Sequence, residues 1–189
     1  GKMGYALARS AFLMGGDVTL ISGPTHLNKP YGVKTIDIIT AKQMHDEIIN
    51  RVQDFDYIIM SAAVGDYRCQ NIAQEKIKKH EDTLTLQLQK NQDILLEMGQ
   101  HKKPHQIICG FAMETQNLIE NAKDKFKRKN CDLLVANNLN ENGAGFKKDT
   151  NKVTFISKND VQSIELMSKD ELSDLILKKL IKIKESHSC

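Results

Sequence analysis

Tyr57-Ile58-Ile59-Met60-Ser61-Ala62-Ala63-Val64-Gly65-Asp66-Tyr67-Arg68 is the stretch that decides the fold. An apolar, β-rich run passes directly into small residues and one carboxylate. Lys76, Lys78 and Lys79 follow a few residues later. A short continuous apolar run reads as a buried strand of a parallel sheet. Small residues at its carboxyl end let a ligand approach the backbone, and that edge is where open α/β sheets bind ligands. A carboxylate there can hold a metal or a ribose, and lysines can neutralise phosphates. The order points to a nucleotide site.

Working outward, the chain alternates strands with helices. Met3, Leu7, Ala11 and Met14 give a helical period over 2–14, ended by Gly15-Gly16. Strands are expected at 17–22, 33–39 and 57–63, with a helix from Thr40 whose Gln43 completes a capping box. Residues 84–88 alternate with a period of two and read as a half-exposed strand, antiparallel to a neighbour. A short helix over 93–100 and a buried strand over 106–111 come next. Thr115 is expected to cap a long charged helix ending at Lys129. Strands at 132–137 and 152–157, a loop at 143–145, and a capping box at Ser168 and Glu171 opening a last helix complete the reading. The fold class is α/β: a Rossmann-like, mostly parallel sheet flanked by helices. Such sheets begin with a strand and a Gly-rich turn, whereas this sequence opens inside the turn, so the first strand is expected to be missing from it.

Composition bounds the rest. The chain has 189 residues, 40% hydrophobic and 27% charged, which suits one globular domain over 1–189. A net charge of +3 is too small to argue for nucleic acid, and the lysines fall in discrete loops without interleaved aromatics. No apolar run approaches the roughly 20 residues that span a bilayer, and no signal-peptide core is present. The cysteines Cys69, Cys109, Cys131 and Cys189 show no Cys-x-x-Cys spacing, which fits a reducing cytoplasm. Cys109 and Cys131 sit in apolar runs and read as core. Cys69 lies near the proposed site, but no histidine is close in sequence to activate it.

Each motif carries a plainer reading beside the functional one. Gly1-Lys2-Met3-Gly4 opens a helix whose free N–H groups favour an anion, or it is an ordinary helix start; it is not a G-x-G-x-x-G fingerprint. Asp66 is a ligand-holding carboxylate or a turn aspartate. Lys76, Lys78 and Lys79 close over a triphosphate or form a solvated charge run. Lys125 and Lys129 lie one helical turn apart, as do Lys123 and Lys127, and cations near a helix C-terminus are explained by the dipole alone. Asn91 or Asp93 reads as an N-cap. Asn137-Asn138 ends a buried strand and borders the same cleft.

Taken in order, Gly1-Lys2-Met3-Gly4, Ser22-Gly23-Pro24, Ala62-Ala63-Val64-Gly65-Asp66-Tyr67, Lys76-Ile77-Lys78-Lys79, Asn91-Gln92-Asp93-Ile94, Gly110-Phe111-Ala112-Met113-Glu114-Thr115, Asp132-Leu133-Leu134-Val135-Ala136-Asn137, and Gly145-Phe146 ahead of Asp149 and Asn151 resemble the bacterial phosphopantothenoylcysteine synthetases. The resemblance covers nearly the whole chain. It implies a ligase of coenzyme A biosynthesis that activates 4′-phosphopantothenate with CTP and joins it to cysteine. Magnesium is the implied cofactor, with Asp66 as its ligand, and no flavin is expected in this domain.

The resemblance further implies that Ser61, Ala62, Ala63, Asp66, Lys76, Asn91, Gln92, Asp93, Ile94, Phe111, Lys125 and Lys129 contact the nucleotide. Lys76 and Asp66 would be catalytic. Gly1, Lys2 and Ala63 would contact phosphopantothenate. A homodimer and a fused or partnering flavin-dependent decarboxylase are implied partners. Gly65 stands where the family usually has alanine, and Gln92 where it usually has proline. The family's Asn-x-Ser-Ser segment and Gly-rich loop would precede Gly1, and a chain without them is expected not to turn over. Two other classes stay open: a nicotinamide-dependent oxidoreductase, opposed by the missing G-x-G-x-x-G, and a non-catalytic nucleotide-binding module.

Overall fold

The computed structural model describes residues 1–78, 83–114, 117–138 and 149–187. In chain order these form α1 (Lys2–Leu13), β1 (Thr19–Ser22), β2 (Lys34–Asp37), α2 (Ala41–Ile49), a 3₁₀ turn (Val52–Asp54), β3 (Tyr57–Met60), β4 (Tyr67–Cys69) and β5 (Leu88–Lys90). There follow α3 (Ile94–His101), β6 (Ile107–Glu114), α4 (Leu118–Arg128), β7 (Leu133–Asn138), β8 (Thr150–Ile156), β9 (Val161–Ser168) and α5 (Lys169–His187).

The central sheet has five strands in the order β3-β6-β7-β8-β9. β3, β6 and β7 are parallel, β8 is antiparallel to β7, and β9 returns antiparallel to β8. β9 therefore runs with β7, and β3, β6, β7 and β9 all end at one rim. β1 and β2 form a separate parallel pair, and β4 and β5 a separate antiparallel ribbon.

Strand alternation divides the core in two. Ile107, Cys109, Leu133, Val135 and Phe155 face one way and pack with Leu7 of α1 and with Leu172, Ile176 and Leu180 of α5. Ile108, Ala112, Leu134, Ala136 and Ile156 face the other way, against Met44 of α2, Met98 of α3 and Ala122 of α4. The α5 residues recur at helical spacing and are fully enclosed, so truncating Leu172 to alanine is expected to cost roughly 2–5 kcal/mol.

Local capping chemistry places the helix ends. Thr40 and Gln43 make the expected capping box, and Ser168 and Glu171 make another. Asp93 caps α3 by accepting from the Leu96 N–H at 3.1 Å. Cys109 and Cys131 are buried, as expected.

Four expectations need correction. α4 starts at Leu118, after Asn117 in the left-handed region and with no side-chain cap. Only Leu88 of the expected 84–88 strand is in a strand, and its partner β4 was read as loop. β9 was not anticipated. Lys102, which the sequence suggests is an exposed surface lysine, is instead part-buried and paired with Asp132 at 2.5 Å. Lys79, Thr115, residues 143–145 and Cys189 lie outside the described residues.

Candidate functional site

The rim at the ends of β3, β6 and β7 gathers the site. A Cβ on Gly4 would stand 2.9 Å from the Ser61 hydroxyl oxygen, so the first turn of α1 lies directly against the end of β3. Ala62 and Ala63 are exposed beyond that strand, with Ser61 half-buried at its end. Small side chains thus lie at the carboxyl end of β3.

Asn91 ties the next part together. Its N–H donates to the Asp66 carbonyl and its side-chain amide to the Gly65 carbonyl, both at 2.8 Å. Its side-chain oxygen accepts from Arg68 at 2.8 Å. The loop carrying Asp66 is therefore pinned to the entry of α3. Two residues on, the Asp93 carboxylate accepts from the Lys129 ammonium, at the C-cap of α4. Lys129 is only 4% exposed. Burial lowers its pKa, while Cys131 and then Asp66 oppose that shift and Lys90 adds to it. Asp66, Lys90, Asp93 and Lys129 thus share one electrostatic neighbourhood.

The remaining residues divide between this cluster and its surroundings. Gln92 is exposed and Ile94 buried in the core, both at the start of α3. Lys125 is half-buried one turn before Lys129. Phe111 follows the β3–β6 register just beyond Met60 and Gly110, but it turns toward α1 and α5, away from Lys129. Lys76 is exposed and its ammonium has no partner among the described residues. Gly1 is the N-cap of α1, and Lys2 pairs with Asp149 at 2.6 Å. The structure brings Asp66, Asn91, Asp93 and Lys129 together by contact or field. It gives no contact between Lys76 and that cluster.

Residues 1–183 match the family described as DNA/pantothenate metabolism flavoprotein C-terminal domain. This chain belongs to that family. The coenzyme A biosynthesis bifunctional protein CoaBC of Vibrio cholerae serotype O1 is 40% identical over 179 residues, covering 94% of this chain and 45% of that protein. The chain spans about half the length of such curated relatives. The solved C-terminal domain of a CoaBC is 35% identical with a TM-score of 0.83, covering 98% of this chain and 84% of that one. A Cab2 variant in complex with phosphopantothenate-cysteine is 16% identical with a TM-score of 0.68, covering 100% and 79%; it shares the fold. The mostly parallel sheet flanked by helices is thus the architecture of the CoaBC C-terminal domain.

Four residues near the rim were not nominated for the candidate site from the sequence. Arg68 and Lys90 belong to the ribbon whose pairing was not foreseen. Asn137 was expected only to border the cleft; its side-chain oxygen is buried and has no partner among the described residues, the kind of orphan acceptor that bound ligands satisfy. Lys169 was read only as part of a cap. Its burial under the packing of α5 has no local sequence signal.

Proposed function

We propose that residues 1–189 form one phosphopantothenate–cysteine ligase domain, using CTP to activate the acid. The observation that carries this reading is the junction of the Asp66 loop, the α3 start and Lys129 at one strand rim, in a member of this family. The CoaBC names of its relatives, and the phosphopantothenate-cysteine held by the Cab2 variant, support the same product.

The chemistry asks for charge neutralisation more than for a protein nucleophile. A carboxylate oxygen of 4′-phosphopantothenate bonds to the α-phosphorus of CTP, and the bond to pyrophosphate breaks. The amine of cysteine then bonds to the acyl carbon, CMP departs, and the amine proton is lost. Lys76 is the residue to cover the triphosphate, since its ammonium has no internal partner among the described residues and sits on chain without regular structure. Asn91, Gln92, Asp93 and Ile94 form the shelf at the α3 start, and Lys125 and Lys129 supply positive charge behind it. Ser61, Ala62 and Ala63 admit the nucleotide close to the backbone, with Phe111 at the edge. Gly1, Lys2 and Ala63 face phosphopantothenate.

Among the described residues no group of three or more His, Cys, Asp or Glu side chains could cage a metal. Magnesium takes one or two carboxylates together with substrate phosphates, and the exposed Asp66 carboxylate at the rim is of that kind. Asp66 would hold it, and the ion would supply charge neutralisation at the phosphates.

The same reading includes a homodimer. Leu84, Leu86 and Leu88, on the segment that leads into β5, are all well exposed, apolar side chains suited to a second copy. A flavin-dependent decarboxylase, fused or separate, would supply the neighbouring activity; the relative's bifunctional name and greater length agree with that. Flavin has no role in this domain. The cytoplasm is the compartment, and among the described residues no helix is long and apolar enough to cross a membrane.

The deciding experiment is magnesium-dependent pyrophosphate release from CTP by the complete protein chain. Release is expected only with 4′-phosphopantothenate present. No release, or release with ATP alone, overturns the reading.

A further inference from the structure

Arg68 lies on β4, opposite Gln89 of β5, and is exposed. An exposed arginine on a two-stranded ribbon ordinarily extends into water, since fixing so long a side chain costs rotamer entropy. This one reaches along the ribbon to the start of α3. Its Nη1 donates to the Asn91 side-chain oxygen at 2.8 Å and to the Lys90 carbonyl at 3.4 Å.

Asn91 is the joint between two parts of the site. Its side-chain N–H donates to the Gly65 carbonyl and its backbone N–H to the Asp66 carbonyl, both at 2.8 Å. The second bond carries the β4–β5 ladder one residue past the Tyr67–Lys90 pair, into the loop that follows β3. An asparagine amide is two-sided: rotated by half a turn, it exchanges its donor and its acceptor. In the rotated state its nitrogen would face the guanidinium, donor to donor, and its oxygen would face the Gly65 carbonyl, acceptor to acceptor. Arg68 thus selects the orientation in which Asn91 grips the loop. Asn91 also lies two residues ahead of Asp93, the cap of α3 and the partner of Lys129, so loop and helix start are tied through it.

We propose that Arg68 is a positioning residue for the nucleotide: by fixing the Asn91 amide it holds the loop of Gly65 and Asp66 at the start of α3, and so sets where the Asp66 carboxylate stands. The inference rests on the ligase reading for its ligand, CTP, and adds to it a residue that acts through Asn91. A loosened loop spreads Asp66 over several positions, and nucleotide binding must then restore one of them. The cost falls on the nucleotide and spares the acid.

The test uses the complete protein chain in steady-state kinetics and in hydrogen exchange. R68A is expected to raise the KM for CTP by about tenfold, with the KM for 4′-phosphopantothenate within about twofold of wild type. R68K, which keeps a cationic donor, is expected to recover most of the loss. R68A combined with N91A is expected to be no worse than N91A alone, since the arginine acts through that amide. Additive losses would give Arg68 a direct role on the phosphates and overturn the proposal, as would an unchanged KM for CTP in R68A. Hydrogen exchange needs neither turnover nor N91A. Exchange of the Asn91 backbone N–H is expected to quicken in R68A, and unchanged exchange also overturns the proposal. Should the wild-type protein release no pyrophosphate from CTP, the ligase reading fails, while exchange at Asn91 still decides whether Arg68 holds the loop.

Discussion

Asp93 does two jobs with one carboxylate: it caps α3 at the Leu96 N–H and receives the ammonium of Lys129 at the end of α4. The two helices are thereby joined at the proposed nucleotide shelf. The jobs separate by substitution. D93N keeps a capping oxygen and loses the charge, whereas D93A loses both. D93A is expected to be less stable than D93N by about 1 kcal/mol in urea unfolding. Equal stabilities would mean that the cap contributes nothing.

Lys76 gives the opposite expectation. Its ammonium has no partner among the described residues, so K76Q should leave the melting temperature within about a degree of wild type. Pyrophosphate release should fall by roughly 10²–10³-fold if this lysine stabilises the departing charge. K158Q, at an exposed turn between β8 and β9, is the control. Matching rates for the two variants would remove Lys76 from the mechanism.

His45 makes stability depend on pH. Burial lowers its pKa, but hydrogen bonds with Glu97 at 2.8 Å and Asp46 at 3.3 Å outweigh that and hold it above the ordinary value. A histidine whose pKa is raised by folding stabilises the native state fully below the unfolded value of about 6.5, and the benefit fades as pH rises through the folded value. Thermal melts from pH 5.5 to 8.5 should therefore show wild type losing more stability than H45Q on the alkaline side. Parallel curves would show that the α2–α3 contact carries no proton linkage.

The exposed leucines leading into β5 are tested by size in solution. L84K with L88K is expected to turn a dimer into a monomer in sedimentation, with circular dichroism unchanged. A wild-type monomer at high concentration would rule out the homodimer directly.

What was legible in the sequence was what neighbouring residues decide. The apolar run Tyr57–Met60 and the boxes at Thr40 and Ser168 depend on spacings of a few residues, and all are present. The start of α4 was misplaced because Asn117 provides no side-chain cap to be read. β9 was missed because it lies at the sheet edge, where few of its residues are buried and the alternation is weak. The β4–β5 ribbon depends on pairing Tyr67 with Lys90 across a long excursion, which no local pattern encodes. At the site, the residues could be nominated, but the partnership of Asp93 with Lys129 could not, since it joins two helices 36 positions apart.

The fit of Gly4 against Ser61 reaches beyond this one molecule. A methyl group at position 4 would stand 2.9 Å from the Ser61 hydroxyl oxygen, so G4A asks that side chain to rotate away, and S61A should relieve the crowding. Drift at either position is then conditional on the other. In a library randomised at both, survivors with a side chain at position 4 should favour the smaller residues at position 61.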